Sequence, residues 1–534
     1  MNSGQERFDV VIVGFGPVGA VAACWLGQMG IKTLVVEKSR SIWEIPRAMA
    51  LDHEILRVFQ NLGVIEQVLP HTAPFGVSEH YGATGQLIRR IDVVAPPHPL
   101  GYLPNMVFTQ PPVEAALRRR AEEHPCVTIR LGAEVTALAE AEEAVSVAFL
   151  RDDGTSAEVR ARYVIACDGA SSTVRRLLEM PLDDLGFDEP WLVVDVLVNE
   201  SAVAKLPGEC AQYCEPARPS TYIIGPGNHR RWEIMLNPGE DPRAIEREEN
   251  VWPLLSRWLK PDEGRMWRAG SYRFHALVAS RWRNGCVFLA GDAAHQQPPF
   301  LGQGMCQGIR DVTNLCWKLS AVIGGVSKDT LLDTYEVERN EHARTLIQRI
   351  REIGTAICIR DPEAARRRDD ELLRRGGGKA LSVTRQEIVP PLACGLIDKD
   401  SAGAGMLFPQ PRIVSAQGIT LLDEISGPGW RLMIDGRNLA TLADLKDDEI
   451  QTLVFGGEGL AEKEDVAAGW FEAHRCRAAV VRPDHYVFCT LDDANEATEI
   501  WKALPHAIVQ NDRQSVHTRE RAVTKIEQLA RWPS

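Results

Sequence analysis

The chain has no apolar run of about 18 residues, which excludes a membrane-spanning helix of ordinary length. It has no cysteine framework either. Twelve cysteines are scattered along it; only Cys210 and Cys214 lie close together, and no second Cys or His pair stands near them. That pattern fits reduced thiols, so neither a disulfide scaffold nor a metal site is expected. Positive charge is not in surplus: the net charge is −13, which argues against a nucleic-acid partner, since binding phosphates needs a basic surface. The opening segment, Met1 to Arg7, is short and polar and lacks a signal-peptide pattern, so a cytoplasmic protein is expected. No internal repeat is evident.

What the chain does have is ordinary globular composition, 45% hydrophobic and 25% charged over 534 residues. That length allows roughly two to four domains. Phe8 to Val13 reads as a buried parallel strand, and Gly14-Phe15-Gly16-Pro17-Val18-Gly19 follows it directly. In this spacing Gly14 permits the tight turn, Gly16 lets backbone approach a pyrophosphate, and Gly19 lets the next helix pack on the strand. The spacing predicts a helix from about Pro17 to Met29, its first N–H groups aimed at phosphates. A second strand, Thr33 to Val36, ends at Glu37, where a carboxylate accepts a ribose hydroxyl and repels a 2′-phosphate. The site therefore suits FAD or NAD.

Two further strand-turn units follow. Tyr163 to Cys167 leads into Asp168-Gly169, and Cys286 to Ala290 leads into Gly291-Asp292-Ala293-Ala294-His295. Pro298-Pro299 stiffens the next loop, and Gly302 to Gly308 leads into a helix expected over Ile309 to Ile323. Its apolar positions Ile309, Val312, Leu315, Leu319 and Val322 keep helical spacing. A helix start there offers N–H groups to the flavin edge that gains negative charge on reduction. The physical reading is one cofactor held at both ends by two helix N-termini.

In this order the three signals resemble the single-component, FAD-dependent aromatic hydroxylases, the class A flavoprotein monooxygenases. Leu26-Gly27-Gln28-Met29-Gly30, Tyr335-Glu336-Val337-Glu338-Arg339 and Arg482-Pro483-Asp484 are similar to the 3-(3-hydroxyphenyl)propionate and phenol hydroxylase branch. The resemblance implies an α/β fold with a Rossmann-like FAD-binding domain (1–185 and 270–360) and an antiparallel substrate-binding sheet (186–269). A linker (361–400) and a thioredoxin-like C-terminal domain (401–534) follow. It implies FAD as cofactor, NADH or NADPH as transient reductant, and O2 and a small aromatic ring as substrates. A flavin C4a-hydroperoxide would carry the oxygen to a phenol. A homodimer is an open expectation.

Residue by residue, the resemblance places Gly14, Gly16, Gly19, Glu37 and Lys38 at the FAD adenosine end. It places Arg47 near pyrophosphate or flavin, Gln110 against the cofactor, and Asp292, Pro299, Gly302, Gly304 and Met305 at the ribityl and isoalloxazine end. Cys306 stands where the family usually has Asn. Asp52 and Tyr272 align with groups near the substrate that would draw its proton, although Asp52 also reads as an N-cap and Tyr272 as a plain sheet tyrosine. His229-Arg230-Arg231 reads as a solvated turn or a carboxylate holder. The alternatives are the same fold with other chemistry (decarboxylative or denitrating hydroxylation, epoxidation, polyketide tailoring) or a non-catalytic flavoprotein. A halogenase is disfavoured, because the only echo of its Trp-x-Trp-x-Ile-Pro motif is Trp43-Glu44-Ile45-Pro46, near the wrong end.

Overall fold

The computed structural model describes residues 6–141, 144–416, 418–437 and 450–492. Five strands form a parallel sheet in the spatial order Val287–Leu289, Ser156–Ala166, Arg7–Val13, Thr33–Glu37, Val127–Leu131. The central strand is buried on both faces, as Val10, Val11 and Ile12 require. Two antiparallel strands, Ala133–Ala141 and Ala144–Arg151, extend this sheet.

The Pro17–Gln28 helix starts where expected, with Gly16 as N-cap and proline in its first turn. The second long helix differs from expectation: it spans Gly304–Ile323 and so begins five positions before Ile309. Gly302, at φ +63°, makes the turn, leaving Gly304 to Gly308 free to join the helix. Gly308 then packs on the first helix, where an added Cβ would lie 2.6 Å from Val18 Cγ2 and 2.9 Å from Gly291 Cα. Both helix N-termini therefore converge on one cleft.

A nine-stranded sheet, mostly antiparallel, lies over that cleft. Its centre is the long pair Leu182–Val198 and Gly264–Ala279, continued by His229–Met235, Ser220–Ile224 and Cys210–Tyr213. One face carries Leu192, Val194, Tyr222, Trp232 and Ile234 and packs in a separate core with Val251, Trp252 and Leu255 of the Glu248–Leu255 helix. The opposite face looks toward the parallel-sheet domain.

The region expected as a linker is built into the fold instead. Pro362–Arg375 is a helix, and Leu381–Thr384 is the edge strand of the nine-stranded sheet, parallel to Leu87–Asp92. Within the run Arg366 to Arg368, Arg368 turns inward and donates to the carbonyls of Ala356 and Cys214. Beyond it, Arg431–Asp435 pairs in parallel with Gln451–Phe455 and antiparallel with Ala478–Val481, which pairs with Val487–Leu491. Residues 493–534 of the expected C-terminal domain lie outside the described residues. Among the described residues no helix is long and apolar enough to cross a membrane.

Candidate active site

The first glycine turn is dictated by backbone contacts. Gly14 has φ +98°, and a Cβ there would meet the Cys167 carbonyl oxygen at 2.4 Å. A Cβ on Gly19 would sit 2.1 Å from the Gly14 carbonyl oxygen. Gly16 is different: nothing lies within 4 Å of its Cβ position, so its missing side chain opens space to the cleft rather than to protein. Glu37 holds the turn, with Oε2 accepting from the Phe15 N–H at 2.7 Å and Oε1 from the Ser39 N–H at 2.7 Å. Each oxygen keeps a lone pair for a further donor. Neighbouring Lys38 is exposed.

The second cradle is the 291–305 loop. Gly304 again has nothing within 4 Å of its Cβ position, while one on Gly302 would strike the Ala50 Cβ at 2.6 Å. Neither helix has an acidic residue in its first turn, which leaves both N-termini open to anionic groups. Asp292 is accessible yet ringed by protein, as a group at the floor of a cleft is; this crowding pushes its carboxyl above the ordinary range, while His295 and Arg47 oppose the rise. The rest of the motif is scaffold: His295 Nε2 meets Asp311 Oδ2 at 2.7 Å, and that oxygen also accepts from the Gly291 N–H at 3.0 Å. Pro299 opens the short turn Pro299–Leu301, and Met305 lies half-buried at the start of the helix. Two open glycine cradles on convergent helix starts fit a dinucleotide cofactor with a phosphate-bearing middle.

Arg47 is exposed on a loop whose backbone is pinned: Gln110 Oε1 accepts from the N–H groups of Arg47 and Ala48 at 3.1 and 2.9 Å. Gln110 thus acts on the loop, with Glu114 taking its amide nitrogen.

Asp52 caps the His53–Asn61 helix, Oδ1 accepting from the Ile55 N–H at 3.1 Å. Its Oδ2 accepts from Arg310 Nη2. Arg310 also donates to Glu54 Oε2 at 2.6 Å and to Gln303 Oε1 at 3.0 Å, and Tyr486 of the C-terminal region donates to Glu54 Oε1 at 3.0 Å. Burial would raise the Asp52 carboxyl, but the charge and hydrogen bond of Arg310 outweigh it and hold the group below the ordinary carboxylate range. Cys306, buried beside it, reaches toward the Ala50 carbonyl, and burial pushes its thiol far above reactivity.

The roof is the inner face of the nine-stranded sheet, and its contacts fix its register over the cleft. At one end Trp191 and Phe274 pack on Phe300 of the second cradle, ring centroids 5.6 and 6.2 Å apart. At the other end Arg231 donates to the carbonyls of Arg47 and Pro46 at 2.8 and 2.9 Å, and Arg268 to Pro46 at 2.6 Å. Asp195 neutralises both arginines, with Arg231 Nε at 2.7 Å and Arg268 Nη1 at 3.6 Å, and also bonds His229. His229-Arg230-Arg231 is therefore not a solvated turn: all three are buried, because the strand begins at His229 and carries them into the sheet. Tyr272, also on this face, accepts from Arg268 Nη2 and lies 41% exposed.

Sequence reasoning missed Asp195, Glu233, Glu54 and Arg310. The alternations Val194, Asp195, Val196 and Trp232, Glu233, Ile234 carried a signal for the first two: apolar residues on one face leave charged ones on the other.

A family model described as FAD binding domain matches residues 7–350. A probable NADH-specific resorcinol 4-hydroxylase from Rhodococcus jostii (strain RHA1) is 35% identical, over 95% of this chain and 96% of its own. A 3-(3-hydroxy-phenyl)propionate/3-hydroxycinnamic acid hydroxylase from Mycobacterium sp. (strain JLS) is 33% identical, over 98% of this chain and 97% of its own. Among solved structures, the flavin-dependent monooxygenase PieE, in complex with FAD and substrate, matches with a TM-score of 0.76 at 20% identity, over 97% of this chain and 99% of that one.

Proposed function

The chain belongs to the FAD binding domain family, and on that premise we propose that it hydroxylates a small phenolic ring with O2, using NADH or NADPH as reductant. The observation that carries this reading is the convergence of two open glycine cradles under one roof of buried polar side chains. Gly14, Gly16, Gly19, Glu37 and Lys38 would hold the adenosine end of FAD. Arg47 would stand by the pyrophosphate, its loop fixed by Gln110, and Asp292, Pro299, Gly302, Gly304 and Met305 would hold the ribityl and flavin end. When bound, FAD supplies the redox chemistry, taking electrons from the nicotinamide and delivering them to O2.

The chain's own residues do the rest. Trp191, Phe187, Phe274 and Phe300 close one side of the cleft and exclude water. Tyr272 stands on the roof as a donor or acceptor for a substrate hydroxyl. Asp52 and its partner Arg310 set the start of the helix under the ring; with its carboxyl so held, we assign Asp52 to positioning rather than proton removal. The substrates named for the two relatives are both phenols with a second substituent meta to the hydroxyl, so a meta-substituted phenol is the substrate class we favour. We read the C-terminal region as a thioredoxin-like brace. Residues 401–534 contain only Cys476 and Cys489, no Cys-x-x-Cys, so dithiol redox chemistry has no place there.

The test is oxidation of NADH and NADPH by the FAD-loaded protein against a panel containing resorcinol, 3-(3-hydroxyphenyl)propionate and para-substituted phenols, with products read by mass. Phenol-stimulated oxidation with a gain of one oxygen supports the reading. No flavin reduction with any phenol refutes it.

A further inference from the structure

Glu233 is a buried carboxyl that the arrangement described so far does not use. It is 4% exposed and accepts no hydrogen bond among the described residues. Register fixes where it points. Along the Leu182–Val198 strand, Trp191 contacts the second cradle and Asp195 holds the arginines on the Pro46-Arg47 loop. Val193 lies between them on the same inner face, and Glu233 is its cross-strand partner. The same row runs from Gln212 through Thr221, Glu233 and Val193 to Gly270. Gln212 and Thr221 satisfy each other, Thr221 Oγ1 donating to Gln212 Oε1 at 2.9 Å. Gly270 offers no side chain, and the Tyr272 ring leans over it, with Cε2 3.3 Å from its Cβ position. Glu233 is thus the polar group of this row left without a hydrogen bond, and it faces the space between the two cofactor-side loops.

We propose that Glu233 is the catalytic base that receives the proton of the substrate's ring hydroxyl. The inference rests on the phenol hydroxylase reading above. The phenol O–H bond breaks, its proton joins a Glu233 carboxylate oxygen, and the electron pair stays on the phenolate oxygen, raising electron density at the ring carbons ortho and para to it. The carboxylic acid returns the proton to solvent or product in a later step. The surroundings suit this task. Burial pushes the Glu233 carboxyl up to about 7, against the pull of Arg231 and Arg268, with Asp195 adding to the rise. A base is most effective when it titrates near the working pH. The other titratable groups, among the described residues, on this face near the row are Tyr272 on the neighbouring strand and His80 at the far end, across from Gln212, while the Arg47 loop meets the face through its backbone carbonyls. Burial holds His80 neutral, so it adds no charge near Glu233. Asp52 is already paired.

The experiment compares wild type, Glu233→Gln and Glu233→Asp, each loaded with FAD and checked for flavin content. The readout is kcat/KM for resorcinol-dependent NADH oxidation between about pH 5.5 and about pH 9, repeated with 3-(3-hydroxyphenyl)propionate. Wild type is expected to rise through a limb near pH 7. Glu233→Gln is expected to lose that limb and about a hundredfold or more in rate, the usual contribution of a general base. Glu233→Asp, which keeps a carboxyl, is expected to retain the limb at a lower rate. A flavin-loaded Glu233→Gln protein with wild-type rate and pH profile would overturn the role of Glu233 while leaving the hydroxylase reading intact. A wild type whose flavin neither NADH nor NADPH reduces in the presence of any phenol of the wider panel would overturn both.

Discussion

The contact between the His53–Asn61 helix and the C-terminal region allows a quantitative test. Arg57 is fully buried and forked onto Asp423, Nε to Oδ2 at 2.7 Å and Nη2 to Oδ1 at 2.8 Å, and its Nη1 donates to the Phe408 carbonyl at 2.7 Å. Asp423 has a second cation, Arg431, at 3.2 Å, and Asn61 at 3.1 Å. Removing one partner of a buried ion pair costs about 3–5 kcal/mol, because the other charge is left in a poor solvent. Arg57→Met leaves Asp423 still beside Arg431, so it belongs at the lower end, about 3 kcal/mol. Asp423→Leu strands two buried guanidinium groups and belongs at the upper end, about 5 kcal/mol. The double variant removes the Asp423 charge stranded by the first change and one of the two guanidinium groups stranded by the second, leaving Arg431. Its cost is expected to fall short of the sum by about 2–3 kcal/mol, the coupling typical of residues in one network. Urea unfolding followed by tryptophan fluorescence measures all four proteins, with Trp430 and Trp470 reporting on the C-terminal region. Single variants within about 1 kcal/mol of wild type, or costs that simply add, would refute the claim that this pair anchors the region.

Other expectations follow from single positions. Gly16→Ala meets no protein atom, so the flavin-free protein should melt like wild type while FAD affinity falls about tenfold or more, whereas Gly19→Ala should lose fold and flavin together; flavin absorbance and calorimetry separate the two. Asp52→Asn keeps the N-cap acceptor and should be more stable than Asp52→Ala by about 1 kcal/mol in urea unfolding; equal stabilities would deny the cap. Glu233 also makes a linkage prediction. Its folded-state carboxyl titrates at about 7, against 4.5 ordinarily, so the fold favours the protonated form. The stability it contributes is present below the ordinary value and is lost as pH rises to 7. Relative to Glu233→Gln, the wild type should therefore lose about 3 kcal/mol between about pH 4.5 and about pH 7, and a constant difference across that window would show an ordinary carboxyl.

Features whose cause is local were legible in the sequence. The Gly14 to Gly19 turn, the strand that precedes it and the apolar stripe of the second long helix all depend on residues within a few positions of one another. The helix expected from Ile309 begins at Gly304 because Gly304 to Gly308 join it, and Gly308 is required there by the close approach of Val18 and Gly291. The inner face of the roof was hidden for another reason: an antiparallel substrate-binding sheet is expected over 186–269, but two-residue alternation alone does not say which of its two faces looks onto the site. Contacts such as Arg57 to Asp423, 366 residues apart, and Tyr486 to Glu54, 432 apart, leave no periodic trace, because each partner alone reads as an ordinary polar residue.

Those long-range contacts bear on why a region without redox cysteines accompanies this site. The His53–Asn61 helix begins at Asp52, against the helix that offers its N-terminus to the cleft, and so any tilt of it shifts the floor on which a ring would rest. It is short and would be marginal alone. The C-terminal region grips two of its charged residues: Tyr486 holds Glu54 in its first turn, and Asp423 holds Arg57 one turn later. A third tie, Arg482 with Glu338 at 2.7 Å, fixes the same region to the long Asp333–Ile357 helix. The residues that make these ties are fully or almost fully buried, and buried charged pairs favour one geometry sharply over its neighbours because a displaced partner strands a charge. What the C-terminal region contributes is therefore a fixed position for one helix, and through Glu54 and Arg310 a fixed position for the Asp52 carboxylate; on the proposed reading this is where aligning a ring with a cofactor would leave least tolerance for movement.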